Sequence, residues 1–114
     1  MEKQKASVFI KIRNQVAKIP KGKVSTYGDV ARAVGLCDVR KVGWALHQNK
    51  DSSDCPCHRV VNKEGRVSPG YVFGGGKEQK KKLLLDGVTF KDETYVDLQK
   101  HLFHFVRFNG VKEK

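Results

Sequence analysis

Cys57 stands in the run Cys55-Pro56-Cys57-His58-Arg59, and a thiolate is the strong nucleophile available to a protein. Positive charge beside a cysteine lowers its pKa and raises the thiolate fraction. His58 and Arg59 are placed to supply that charge. Pro56 restricts the backbone of Cys55 and helps fix the geometry ahead of Cys57. Taken alone, the Cys-His pair fits a reactive thiol, and it fits equally a buried structural cysteine beside a surface histidine. Metal ligation is the other obvious use of Cys37, Cys55, Cys57 and His58. Their spacing lacks the paired Cys-x2-Cys or His-x3-5-His arrangement of structural zinc sites and is one residue short of the haem-attachment pattern, so no metal is expected. Three cysteines without a secretion signal argue for reduced thiols rather than a disulfide framework.

The elements that must position this run follow from periodicity and punctuation. Val8, Phe9, Ile12, Val16 and Ile19 have helical spacing over residues 7–19, with Ser7 as N-cap and Pro20 and Gly22 as stops. Lys23 and Val24 read as a short extended segment. Thr26 caps a second helix with Asp29 three residues on, Val30, Ala31 and Val34 form its apolar stripe, and Gly35 closes it. Asp38 caps a third helix from about Val39 to Gln48. Two short helices around a glycine-containing turn make a helix-turn-helix pattern, which any αα-hairpin also gives. Beyond Cys57, Arg59-Val60-Val61 and Arg66-Val67 flank a turn at Asn62-Lys63-Glu64-Gly65 and read as a β-hairpin. Residues 68–76 hold four glycines and form a loop able to approach a ligand closely. Residues 77–86 are helix-prone and stop at Gly87. Val88 to Phe90 read as a strand, and Tyr95, Leu98, Leu102, Phe105 and Val106 have roughly helical spacing.

The bulk numbers bound the function. A chain of 114 residues suggests one domain, with its core over about 8–90 and a C-terminal extension at 91–114. No apolar run reaches the roughly 18 residues of a membrane helix, and no signal-peptide stretch follows Met1. An intracellular location is the default expectation, cytoplasmic, or nuclear in a eukaryote. The net charge of +11 favours a polyanionic partner, with nucleic acid the first candidate and a solvated, self-repelling surface the alternative.

In order along the chain stand the helix-turn-helix, Asn49, Pro56-Cys57-His58-Arg59-Val60-Val61, Gly70-Tyr71 and Leu83-Leu84-x-Asp86-Gly87. This order resembles the O6-alkylguanine-DNA alkyltransferase family. The family core reads Tyr in the first motif helix, Arg-Ala-Val-Gly in the second, Asn-Pro, then Pro-Cys-His-Arg-Val. Here Tyr27, Arg40-Lys41-Val42-Gly43, Asn49-Lys50 and Pro56 to Val61 correspond, with Arg-x-Val-Gly starting seventeen residues before the cysteine.

The resemblance implies an α/β, single winged-helix-like domain with a helix-turn-helix, a small β-hairpin and flanking helices. It implies a monomer without cofactor, acting on double-stranded DNA that carries O6-alkylguanine. The target base leaves the stack, because a protein nucleophile cannot reach its exocyclic atom inside the duplex. Arg40 fills the vacated space from the minor groove, Tyr27 crowds the 3′ phosphate, and Gly43 lets the groove come close. Arg59 joins these as a DNA-binding residue. Cys57 takes the alkyl group in a single irreversible turnover, as a methylated-DNA–protein-cysteine methyltransferase does. His58 acts through a water as general base, oriented by a carboxylate expected to be Asp86. Asn49 braces the loop before the nucleophile. Backbone atoms near Cys57 and Val60 and in the Gly70–Gly75 loop, which includes Gly74 and Gly75, are expected to read the guanine, and Tyr71 is expected to help wall the pocket. DNA affinity should fall steeply with salt.

The chain also departs from the family pattern. The family acid is usually Glu, one methylene longer than Asp86. Asn-Pro is replaced by Asn49-Lys50, and the loop before Pro56 is the polar Asp51-Ser52-Ser53-Asp54. Trp44 stands where smaller or polar residues are common; stacking near DNA and packing inside both fit, and packing is the slightly favoured reading. The family's separate N-terminal domain, with any zinc site it carries, is expected to have no counterpart here. Two other functions fit this fold. One is an alkyltransferase-like sensor that binds alkylated DNA without transfer, although such proteins usually replace the cysteine with Trp. The other is a winged-helix regulator of transcription, which would leave Cys57 and His58 without a task.

Overall fold

The computed structural model describes residues 2–47, 55–69, 71 and 73–105, with side chains from Val8 onward. The first helix, α1 (Glu2–Val16), starts well before Ser7, so Ser7 lies inside the helix rather than capping it. Ile12 and Val16 are fully buried, and Val8 and Phe9 pack beside them one and two turns earlier. The helix tightens at its end, where Ile19 N–H donates to the Val16 carbonyl (3.0 Å), and Pro20 follows.

Next come β1 (Ser25–Thr26), α2 (Tyr27–Ala33) and α3 (Arg40–His47). The Thr26 hydroxyl accepts from Asp29 N–H at 3.1 Å, the expected N-cap. The end of α2 is a Schellman motif: Leu36 N–H donates to Ala31 O (2.8 Å) and Gly35 N–H to Arg32 O (3.1 Å). Gly35 takes φ 79°, which glycine adopts without steric cost. Asp38 Oδ1 accepts from Arg40 N–H at 3.0 Å and starts α3. Val42, Ala45 and Leu46 form the buried face of α3 and share one core with α1 and α2.

Val60–Val61 (β2) pairs parallel with β1, in the register Ser25 to Val60 and Thr26 to Val61. This corrects the pairing expected from sequence. The turn at Asn62–Gly65 forms, with Gly65 N–H donating to Asn62 O (2.9 Å), but Arg66 pairs antiparallel with Tyr95 instead of extending a hairpin ladder. Alternate strand residues point to opposite faces. Val60 accordingly joins the helical core, while Val61 joins Val24, Val67, Leu83, Val88 and Val96 in a second core. The two-stranded sheet is thus the partition between two apolar clusters, and Cys57 leads directly into it.

The chain continues through α4 (Gly75–Leu85) and the single turn α5 (Leu98–His101). The helical spacing around Tyr95 to Phe105 thus yields only that one turn. Tyr95 and Val96 are instead bridge partners of Arg66 and Phe90. Past α5, Phe103 N–H donates to Val24 O (2.7 Å) and Val24 bridges Leu102, so this segment lies along β1. Among the described residues no helix is long and apolar enough to cross a membrane.

Gly65 is where three segments meet. It has φ 94°, and a Cβ there would sit 2.8 Å from the Val96 carbonyl oxygen and 3.1 Å from Leu98 Cγ. Gly65→Ala therefore combines a strained left-handed residue with a backbone clash, and is expected to destabilise the fold by about 2 kcal/mol or more. An unchanged urea midpoint would contradict this.

Candidate active site

The run from Cys55 to Arg59 is folded by its proline. Pro56 has φ −76° and ψ 70°, and Cys57 N–H donates to Cys55 O at 2.7 Å. These are the angles and the bond of an inverse γ-turn. A 3-10 turn (Cys57–Arg59) follows, closed by Arg59 N–H to Pro56 O (2.9 Å), and it delivers the chain into β2. Cys57 is 3% exposed, and its thiol donates to Cys55 Sγ at 3.9 Å, a hydrogen bond between two reduced thiols rather than a disulfide.

Above Cys57 lies a cavity of about 220 Å³, lined also by Tyr27, Gly43, Leu46, His47, Ser68 and Tyr71. Its volume falls below the roughly 300 Å³ at which drug-sized pockets begin, so it has room for one small group. Tyr27 Oη and Ser68 Oγ are 2.7 Å apart across one wall. Tyr71 Oη accepts from Lys82 Nζ at 2.9 Å, and that ammonium lies over the rings of both Tyr71 and Phe73. Burial raises the pKa of Tyr27, against the Ser68 hydrogen bond, and burial likewise raises that of Tyr71, against Lys82. Both phenols are neutral at physiological pH.

Beside Cys57, His58 Nε2 and Asp86 Oδ2 are 2.8 Å apart. Burial lowers the His58 pKa, and Arg59 and Lys82 push the same way, while Asp86 opposes them. The imidazole is therefore neutral near pH 7. A neutral ring facing a carboxylate places its proton on Nε2 and leaves the lone pair on Nδ1. Nδ1 is buried and has no hydrogen-bond partner among the described residues. For Asp86, burial acts upward, but hydrogen bonds from Arg59 and His58 outweigh it and hold the carboxyl below its ordinary range. The arrangement is a thiol that lines a small cavity, followed in sequence by a neutral, carboxylate-oriented imidazole.

The sequence model of the family described as "6-O-methylguanine DNA methyltransferase, DNA binding domain" matches residues 7–88. This chain belongs to that family. Alkyltransferase-like protein 1 of Schizosaccharomyces pombe is 40% identical over 81 residues, covering 70% of this chain and 75% of that protein. A methylated-DNA–protein-cysteine methyltransferase of Metallosphaera sedula is 42% identical over 86 residues, covering 75% of this chain but 52% of that longer protein. The structure of S. pombe Atl1 in complex with damaged DNA containing O6-carboxymethylguanine superposes with a TM-score of 0.79 at 31% identity, over 88% of this chain and 97% of that one.

Several residues expected from the alkyltransferase resemblance come together here. Cys57, Tyr27, Gly43 and Tyr71 line the cavity, and Asp86 reaches His58 despite its shorter side chain. A Cβ on Gly43 would meet nothing within 4 Å, so the space beside it is open. Arg40 is 74% exposed on α3, with Nε and Nη2 each 3.1 Å from the Asp38 carboxylate.

Others lie elsewhere. Arg59, expected at the DNA, turns inward: Nε donates to Asp86 Oδ2 and Nη1 to the Ile19 carbonyl, both at 2.9 Å. A guanidinium so engaged is a brace for Asp86 rather than a phosphate contact. The Val60 side chain is fully buried in the helical core, and its carbonyl is taken by Gln79, so it does not wall the cavity. Gly74 and Gly75 (φ 119° and 80°) turn the loop into α4 and are not among the lining residues. Trp44 is 50% exposed rather than packed inside. Asn49 and Gly70 lie outside the described residues.

Sequence reasoning missed Gln79. It is fully buried, its Oε1 accepts from Ser68 N–H (2.6 Å), and its Nε2 donates to the carbonyls of Val60 (2.8 Å) and His58 (3.1 Å). One amide thus ties α4 to the cavity wall and to the backbone just after the nucleophile. The available signal was its place one turn before Leu83, on the inner face of an otherwise lysine-rich helix. Leu46, His47, Ser68 and Lys82 were missed as well, because a polar or apolar residue at such positions has no motif of its own.

Proposed function

We propose that this protein repairs alkylated DNA by drawing an O6-alkylguanine out of the duplex and transferring the alkyl group to Cys57. The observation that carries this reading is Cys57 lining a small cavity, followed in sequence by the His58–Asp86 pair. His58 Nδ1, through a water, takes the thiol proton. The thiolate attacks the alkyl carbon, the S–C bond forms as the C–O6 bond breaks, and guanine departs carrying the proton. Arg59 and Asp86 position the imidazole, Tyr27 presses on the nucleotide, and Arg40 exchanges Asp38 for the space the base vacates. A thioether offers no easy leaving group, so each molecule acts once.

A second reading is supported by the extent of the likeness to S. pombe Atl1, which takes in 88% of this chain. On that reading the protein holds an alkylated base in the same cavity without transfer. Mass spectrometry of the intact protein after incubation with a duplex carrying one O6-methylguanine separates the two. The expected result is one added CH2 per molecule, mapped by digestion to the peptide holding Cys57. Tight lesion binding with no change in mass would replace transfer by sensing.

A further inference from the structure

Arg40, Gly43, Trp44 and His47 fall at i, i+3, i+4 and i+7 and form one stripe along α3, opposite the buried Val42, Ala45 and Leu46. Gly43 and His47 belong to the cavity wall, and Trp44 neighbours them on this stripe without lining the cavity itself. Half of this large side chain is in water, and Val39 beside the start of the helix is exposed too. The Arg40 guanidinium carbon is 5.9 Å from the Trp44 ring centroid, within cation–π range. A lone exposed apolar residue needs no explanation. This one shares its helix face with a cavity opening and with a cation that has its own ring contact.

We infer that Trp44 is a specificity-determining DNA contact, an aromatic platform that stacks on a base beside the position from which the target nucleotide is withdrawn. The inference rests on the proposed function. The occupant is a nucleobase rather than a protein side chain for three reasons. The chain carries a net charge of +11, the Arg40 guanidinium lies within cation–π range of the ring, and the residues sharing its helix stripe line a cavity with room for one small group. Withdrawing a nucleotide leaves neighbouring bases with an uncovered face, and an indole can cover such a face whatever the sequence. In the free protein Trp44 and the Asp38 carboxylate hold Arg40 between them. On the duplex, Arg40 moves into the gap and the face of Trp44 becomes available to the neighbouring base.

Trp44 is the chain's single tryptophan, so intrinsic fluorescence reports on this residue alone. The test titrates the full chain with an end-labelled duplex carrying one O6-methylguanine, following label anisotropy and tryptophan emission together. The emission should be quenched in step with the rise in anisotropy. Trp44→Ala should weaken lesion-duplex binding by roughly 5- to 150-fold, the range of one base–aromatic stack, and Trp44→Phe should recover most of the loss. Thermal melts of both variants should match the parent, because the side chain is not in a core. A rise in anisotropy without quenching, together with unchanged affinity for Trp44→Ala, overturns the assignment while leaving the proposed function standing. No rise in anisotropy for the parent overturns both.

Discussion

If Cys57 takes the methyl group as proposed, His58→Ala is expected to slow that transfer by about 10²- to 10⁴-fold at pH 7.5, the usual contribution of a positioned general base. The variant should still bind the lesion duplex, because His58 is covered by Asp86 and the core rather than lining the cavity. The pH profile distinguishes a lost base from a damaged site. Burial lowers the His58 pKa below its ordinary 6.5, so in the parent protein the imidazole is neutral through the neutral range. The single-turnover rate should be level there and decline as pH falls through that lowered pKa. In the variant the rate should instead climb toward high pH, where the thiol ionises without help. Asp86→Asn should give an intermediate loss, since it keeps an acceptor but removes the charge that orients the ring and balances Arg59. A His58→Ala rate within threefold of the parent at pH 7.5 would remove the base from the mechanism.

Stability carries the same sign on the acid side. Both His58 and Asp86 are held below their ordinary values in the folded protein. As pH falls below 6.5 the unfolded chain binds a proton at His58 before the folded one does, and below about 4 the same holds at Asp86. Each step favours unfolding, so stability and activity decline together on acidification.

The second large effect belongs to Gln79. Gln79→Leu keeps a side chain of similar size but leaves Ser68 N–H and the His58 and Val60 carbonyls without the amide that pairs them. An abandoned buried polar group costs about 1–3 kcal/mol. With three of them partly relieved by neighbours, the expected destabilisation is about 3 kcal/mol, read as a drop in the urea midpoint at unchanged slope. The same amide fixes the backbone around the nucleophile, so the transfer rate of the folded variant should also fall. Gln79→Glu is the finer probe. It keeps the acceptor for Ser68 N–H, offers no donor to the two carbonyls, and should recover little. A urea midpoint equal to that of the parent would show that Gln79 holds nothing together.

The helices were legible in the sequence because their signals are local. Thr26 with Asp29, Gly35, and Asp38 each act within five residues, and each does in the structure what its type and place suggest. The nucleophile run was legible for the same reason, since Pro56, Cys57 and His58 are consecutive. Strand pairing was not. Ser25 and Val60 are thirty-five residues apart, each strand is two residues long, and nothing in either names its partner. The parallel register follows from which faces must be covered: Val60 by the helices, Val61 by Leu83 and Val96.

Side-chain direction divides the remaining cases. Arg59 follows a cysteine and a histidine and looks in sequence like one more cation for DNA, yet an acceptor at Asp86 and another at Ile19 draw it inward. Trp44 looks like core by composition, yet Val42, Ala45 and Leu46 already fill the inner face of α3 and leave it outside. Composition and spacing therefore determined the helices, the basic charge and which thiol is the candidate nucleophile. The tertiary structure alone decided what surrounds that thiol. Asp86 orients His58, Gln79 clamps the backbone, and Tyr27, Ser68 and Tyr71 enclose the cavity only because segments distant in sequence pack on one two-stranded sheet, and contacts of that range leave no local periodicity to read.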